Sequence, residues 1–208
     1  HMPYDSFKSD IFPTLSSLIS SFGMKEGKFY DYFILNVKKH FKRIKRDSKV
    51  LSVLLYNTTQ FAPELALELY LTLKKKVIVQ NLQGEENIDL VTLNFFYRYH
   101  SLFSEYKLKD FELEYLNYSS EVLKYHSHIS RSKMQQVFTR KLEQNLSQKV
   151  IPEEYIPEIG RTVDIFLPES KVIIEFNGPK HYIQTVEGSY IPNGKQPAKE
   201  RILKHYGY

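Results

Sequence analysis

Asp164 and Glu175 are the residues of this 208-residue chain whose type and spacing point most directly to chemistry. Each is a lone acid in a short apolar run. One run is Val163-Asp164-Ile165-Phe166-Leu167 and the other Val172-Ile173-Ile174-Glu175-Phe176, with Pro168-Glu169-Ser170-Lys171 between them. Two such runs around a turn read as antiparallel strands of a hairpin. If Glu169 and Ser170 form a two-residue loop, Pro168 faces Lys171. Counting back then sets Asp164 directly opposite Glu175 on one face. Opposed side chains sit about 4.5–5.5 Å apart at Cβ, so two carboxylates there repel. A fold that keeps them needs a cation, a shared proton or free water between them. The sharp reading is a metal site; the plain one is two solvated acids on an exposed sheet face.

A divalent cation between such acids would suit phosphodiester hydrolysis. It neutralises the non-bridging oxygens and lowers the pKa of a bound water. Mg²⁺ is typically held by one or two carboxylates plus waters and phosphate oxygens, and Mn²⁺ takes similar oxygen ligands. Lys180, or a basic residue further on, would offset charge on the pentavalent state. Gly178-Pro179 must turn the chain sharply after the second strand, leaving His181 just past its end. His181 reads either as a loop histidine bonded to nearby backbone or as a proton-handling group.

The last quarter of the chain resembles the RAP domain, a C-terminal module of organellar RNA-binding and RNA-processing proteins abundant in apicomplexan parasites. The likeness rests on Thr162-Val163-Asp164-Ile165, on Ile174-Glu175-Phe176-Asn177-Gly178-Pro179-Lys180-His181-Tyr182, on Asn193-Gly194-Lys195, and on Ala198 to Tyr208 with its Lys199-x-Arg201-x-Leu203 core and Gly207-Tyr208 end. A weaker extension reaches Gln136-Val137 and Leu142. RAP domains look like a trimmed PD-(D/E)xK nuclease core, close to the very-short-patch-repair endonucleases. The resemblance implies that Asp164 and Glu175 occupy the metal-binding positions, with Mg²⁺ or Mn²⁺ as cofactor. A nuclease of this kind usually has Lys two residues after the Glu, where this chain has Asn177. An amide can orient a water or phosphate but supplies neither a base nor positive charge. His181 would then handle the proton. The resemblance also implies an organellar setting, such as the mitochondrial matrix, and a further strand after the position of Tyr208.

Gln184 to Pro197 reads as a surface loop, with Gly188, Pro192, Gly194 and Pro197 among polar residues. From Ala198 a helix with Ile202, Leu203 and Tyr206 on one face carries Lys199, Arg201, Lys204 and His205 largely elsewhere. With Lys180 and Lys195, Lys199, Arg201 and Lys204 are candidate phosphate contacts. Upstream, apolar residues recur at three and four. The expected helices are Asp10–Phe22, Lys28–Arg46, Lys49–Phe61, Pro63–Val77, Ile88–Glu105, Lys109–His126 and Ser130–Ser147. Asp47-Ser48 and Ser130 are expected caps, and Pro63 suits a first turn. Lys49–Val77 and Ile88–His126 form two antiparallel pairs, with Leu54-Leu55-Tyr56 echoed by Phe95-Phe96-Tyr97, so the region is a helical-hairpin array or an ordinary bundle.

Lys42 and Arg43 sit in a dense basic patch, Lys38 to Arg46, which faces a polyanion or merely solvent at a helix end. Tyr97, Tyr99, Tyr106, Tyr115, Tyr118 and Tyr125 are either stacking platforms or core. The net charge of +5 and pI near 9.1 are compatible with a nucleic-acid partner. The absence of Cys excludes disulfides, thiolate zinc sites and cysteine nucleophiles, and no run approaches a membrane span. His1-Met2 reads as an expression remnant.

The expected architecture is therefore α+β. A helical region over 3–148, as a hairpin array or bundle, precedes a small α/β module over 149–208 of restriction-endonuclease-like RAP type. The expected function is RNA binding, with single-stranded RNA as partner, and a metal-dependent endoribonuclease site at Asp164, Glu175, Asn177 and His181. The alternatives are a non-catalytic RNA-maturation factor and a helical protein-interaction scaffold.

Overall fold

Helix ends follow their capping chemistry. The computed structural model describes residues 11–82, 88–125, 131–184, 187–192 and 197–208. Its helices are α1 (Ile11–Phe22), α2 (Lys28–Lys39), α3 (Phe41–Ile44), α4 (Ser48–Phe61), α5 (Pro63–Leu82), α6 (Leu90–Phe103), α7 (Asp110–Tyr125), α8 (Lys133–Asn145) and α9 (Pro197–His205). Asp47 accepts the amides of Lys49 and Val50 at the start of α4, and Asp89 accepts that of Val91 at α6. Pro63 opens α5, where its missing N–H costs nothing.

The expected single helix from Lys28 to Arg46 is broken at His40, whose backbone (φ −97°, ψ 11°) lies outside helical values. The His40 ring turns in against Phe12, 5.9 Å between centroids. That tertiary contact leaves no mark on the local periodicity. The cap expected at Ser130 lies outside the described residues, and Ser132 caps α8 instead.

The strands are β1 (Ile151–Ile156), β2 (Arg161–Leu167) and β3 (Val172–Ile174), an antiparallel sheet in the order β1-β2-β3. The chain is thus α+β: mostly helical with a small sheet. Leu167 faces Val172, Phe166 faces Ile173 and Ile165 faces Ile174, the register expected from a Glu169-Ser170 loop. The Lys171 amide donates to the Pro168 carbonyl across that turn. Strand β1 was not expected, since two acids and Pro152 disguise it. It lies at the sheet edge, where proline is tolerated. Part of the expected loop after Gln184 is also ordered as a ribbon, β4 (Tyr182–Gln184) against β5 (Tyr190–Pro192).

Two apolar clusters form the interior. The larger joins α1, α2 and α4–α7 around Leu54, Leu55, Phe33 and Phe96. The smaller joins Phe95 and Tyr99 of α6 to Ile156, Ile159 and Val163 of the sheet region and to Ala198 and Ile202 of α9. Helix α9 ends in a Schellman turn: Gly207 (φ 79°) and Tyr208 donate back to the carbonyls of Lys204 and Leu203. The Tyr208 ring thereby comes against Phe166, 5.8 Å between centroids.

Within the larger cluster Glu112 is fully buried. It accepts from Tyr70 and Tyr106 hydroxyls and the Lys109 amide, with the Lys74 ammonium at 3.3 Å. Burial alone would raise its pKa. Those donors outweigh it and hold the carboxyl below its ordinary range.

Arg98 of α6 donates to Asn94, the Glu158 carbonyl and Ser120, tying α6 and α7 to the β1–β2 turn. Gly160 closes that turn at φ 64°, and a Cβ there would fall 2.3 Å from Asn94 Oδ1 and 2.6 Å from Arg98 Nε. Gly160→Ala should therefore cost about 3 kcal/mol from left-handed strain and clash together. That lowers the Tm in calorimetry by about 6–12 °C, whereas Gly178→Ala, with open space around it, should move it little.

His100 is buried with its ring 4.5 Å from Phe96 and its Nε2 without a hydrogen-bond partner. Burial pushes its pKa down from 6.5 to about 4. The unfolded chain therefore binds the extra proton first, and stability is lost as pH falls from 6.5 towards 4. In denaturant titrations the loss should reach about 3 kcal/mol, and His100→Gln should remove it from that window.

Candidate functional site

Strand β2 buries Val163, Ile165 and Leu167 and turns Thr162, Asp164 and Phe166 to the other face, where they are half-buried. The β2–β3 ladder stops at Ile165–Ile174, so Asp164 and Glu175 lie one step beyond the last paired residues. There the backbone changes partner. The Phe176 amide donates to Asp164 Oδ2 at 2.6 Å instead of to a main-chain carbonyl. Asp164 Oδ1 accepts from Gln135 Nε2 at 2.7 Å.

Gln135 is positioned by the helix that carries it. Ser132 and Gln135 form a capping box, in which Gln135 Oε1 accepts the Ser132 amide and Ser132 Oγ accepts the Gln135 amide. With its oxygen so engaged, the Gln135 NH₂ group is left to donate to Asp164. The Ser-x-x-Gln signature of a helix start was the available signal, and its partner on β2 was not readable.

Glu175 is half-buried and paired with Lys199 of α9, Nζ to Oε1 2.7 Å. Lys199 therefore answers the carboxylate rather than standing ready for phosphate. A third acid, Glu153 on β1, shares the neighbourhood with its backbone at φ 55°. Burial pushes its pKa up, the Asp164 charge adds to this, Arg131 opposes it and Glu175 adds again. Among the described residues no group of three or more His, Asp or Glu side chains is arranged to hold a metal ion by itself.

The other expected site residues are dispersed. Asn177 is exposed just after Phe176. Lys180 and His181 belong to a single 3-10 turn, Pro179–His181, where the His181 amide donates to the Gly178 carbonyl. Arg201 lies over the Phe103 ring at 4.3 Å and donates to the Tyr99 hydroxyl, joining α9 to α6 while the residue stays exposed. Lys204 is exposed on α9. Lys195 lies outside the described residues. Lys42 and Arg43 are exposed on α3, whose Ile44 anchors it to the helical core rather than to the hairpin.

Of the tyrosines, Tyr97, Tyr99 and Tyr115 are core residues, Tyr106 serves Glu112, and Tyr118 is exposed. A cavity of about 400 Å³ lies between α2 and α5, away from the hairpin, and its charged lining is Asp31, Glu64 and Glu68 with Lys38, which pairs with Glu68. Its acids disfavour a polyanion. No helix among the described residues is long and apolar enough to cross a membrane. Comparison with known proteins finds no matching family model, curated protein or solved structure.

Gln135→Glu keeps the cap acceptor but sets a carboxylate against Asp164. The variant should lose about 1–2 kcal/mol at neutral pH through like-charge repulsion and the lost donor. Protonating the pair relieves the repulsion, so denaturant titrations should show the deficit shrinking as pH falls towards 4.

Proposed function

We propose that this chain is an RNA-binding factor in which the β2–β3 hairpin carries a carboxylate pair available to a divalent cation. The observation that carries the reading is the orientation of Asp164 by two neutral donors, with half-buried Glu175 following directly after the last paired residue of β3. A carboxylate has about four acceptor sites. Among the described residues Asp164 uses two of them, with Gln135 and Phe176, and Glu175 uses one with Lys199. The remaining lone pairs fit a Mg²⁺ or Mn²⁺ ion that completes its shell with water and phosphate oxygens. Ligating carboxylates are commonly held by such outer hydrogen bonds. Once bound, the ion would supply a lowered water pKa and charge neutralisation at phosphate.

The chain's own residues would do the rest. Gln135 and the Phe176 amide keep Asp164 from rotating. Lys199 balances Glu175 until a cation competes for it. The likeness to RAP domains and PD-(D/E)xK nucleases supports this reading and suggests a role in organellar RNA processing. It also matches the helical region to the helical domains that commonly precede RAP modules. A second reading, a clamp that holds RNA without cutting, is favoured by the Lys199–Glu175 pair and by neutral Asn177.

Labelled single-stranded RNA incubated with the protein and Mn²⁺ or Mg²⁺ separates them. Cleavage that chelator stops and that Asp164→Ala and Glu175→Ala each reduce at least about 100-fold is expected for the metal site. Salt-sensitive binding without cutting, unchanged in both variants, selects the clamp. No RNA binding at low salt overturns both.

A further inference from the structure

Helix α8 is inverted. Its buried positions are Gln135 and Thr139, both polar. On its outer side Met134, Val137 and Phe138 are 70%, 53% and 39% exposed. Spacings of three and four put these three on one face. Adjacent exposed apolar side chains of this size ordinarily mark an interaction surface.

This patch has two neighbours that define its partner. The Phe138 ring meets the Phe176 ring edge to face, 5.4 Å between centroids at 82°. Phe176 follows Glu175, and its own amide holds Asp164. The apolar patch therefore runs directly into the carboxylate pair. Around it Arg131, Lys133, Arg140 and Lys141 are exposed, against Glu143 as the acid of the helix. The Phe138 ring, with Met134 and Val137 beside it and cations around them, suits a ligand that is both ring-bearing and anionic.

We propose that the outer face of α8, with Phe176, is a stacking platform for the unpaired bases of a single-stranded nucleic acid. This rests on the nucleic-acid reading of the adjoining site. Aromatic faces take any base, because every base has a π-surface, while the surrounding cations hold the backbone. A duplex keeps its bases stacked on one another and offers no free ring to Phe138. The platform also explains why α8 keeps Phe138 and Met134 outside. The buried side of α8 is committed to capping and to holding Asp164.

The test compares a short single-stranded RNA with the same strand carrying abasic positions, by fluorescence anisotropy on the full chain. Wild type should bind the intact strand more tightly. Phe138→Ala should weaken the intact strand about 5- to 150-fold per base unstacked and abolish the preference over the abasic strand. Met134→Glu, at a site too exposed to disturb packing, should act in the same direction.

Equal binding of both strands by wild type, with Phe138→Ala without effect, overturns the platform and leaves the nucleic-acid reading standing. Absence of salt-sensitive binding to either strand overturns that reading and the platform together. Binding of anionic phospholipid vesicles that Met134→Glu abolishes, with RNA affinity untouched by either variant, also overturns it by making the face a membrane contact.

Discussion

Between Leu90 and His100 no residue of α6 is exposed, and the whole arrangement depends on that burial. Leu93, Phe96 and Tyr97 belong to the helical core, while Phe95 and Tyr99 belong to the core shared with the sheet and α9. One helix therefore sets the position of both layers. Because β2 must turn Val163, Ile165 and Leu167 towards buried surroundings, Asp164 is forced to the other face. Side chains alternate along a strand, so a slip of one residue would drive Asp164 inward and put apolar groups outside. The placement of the acids is a consequence of core burial upstream.

The chain answers carboxylate desolvation in two ways, and the contrast separates a structural acid from a candidate ligand. Glu112 is buried and saturated by hydroxyls, an amide and a lysine, so it has no room for anything else. The bond from Tyr70 ties α5 to α7. Asp164 and Glu175 are only half-buried and, among the described residues, take three hydrogen-bond donors between them. Two of those donors are neutral, so they orient Asp164 without cancelling its charge. Like Glu112, Glu175 has a lysine partner, Lys199, whereas the Gln135 and Phe176 donors to Asp164 are both neutral.

Local chemistry made much of this legible, and long-range partners made the rest invisible. The helices followed from periodicity with caps at Asp47 and a first-turn Pro63. The hairpin register followed from the loop length alone. By contrast β1 is an edge strand with a proline and two acids, whose pairing with β2 supplies the order its sequence lacks. Gln135 was not read as a site residue because its partner is 29 residues away. Lys199 and Arg201 read as free cations on a helix face. In the fold one meets Glu175 and the other lies on Phe103. Nothing local distinguishes a solvated lysine from a paired one.

Arginine and lysine divide their work along this boundary. Arg98, Arg161 and Arg201 all sit at the seam between helices and sheet region. Arg161 lies 5.2 Å over Tyr56 and 5.1 Å over Phe95 and donates to the Tyr56 hydroxyl. A planar guanidinium can stack and donate at once, as Arg161 does on Tyr56. The formal charge of +5 therefore overstates what is presented to a polyanion, because part of it is spent as internal glue. Exposed lysines and arginines are spread over α2, α3, α5, α7, α8 and α9. Of these, the cations of α8 flank a helix that also touches Asp164, so charge and chemistry converge there rather than at the denser basic patch of α3.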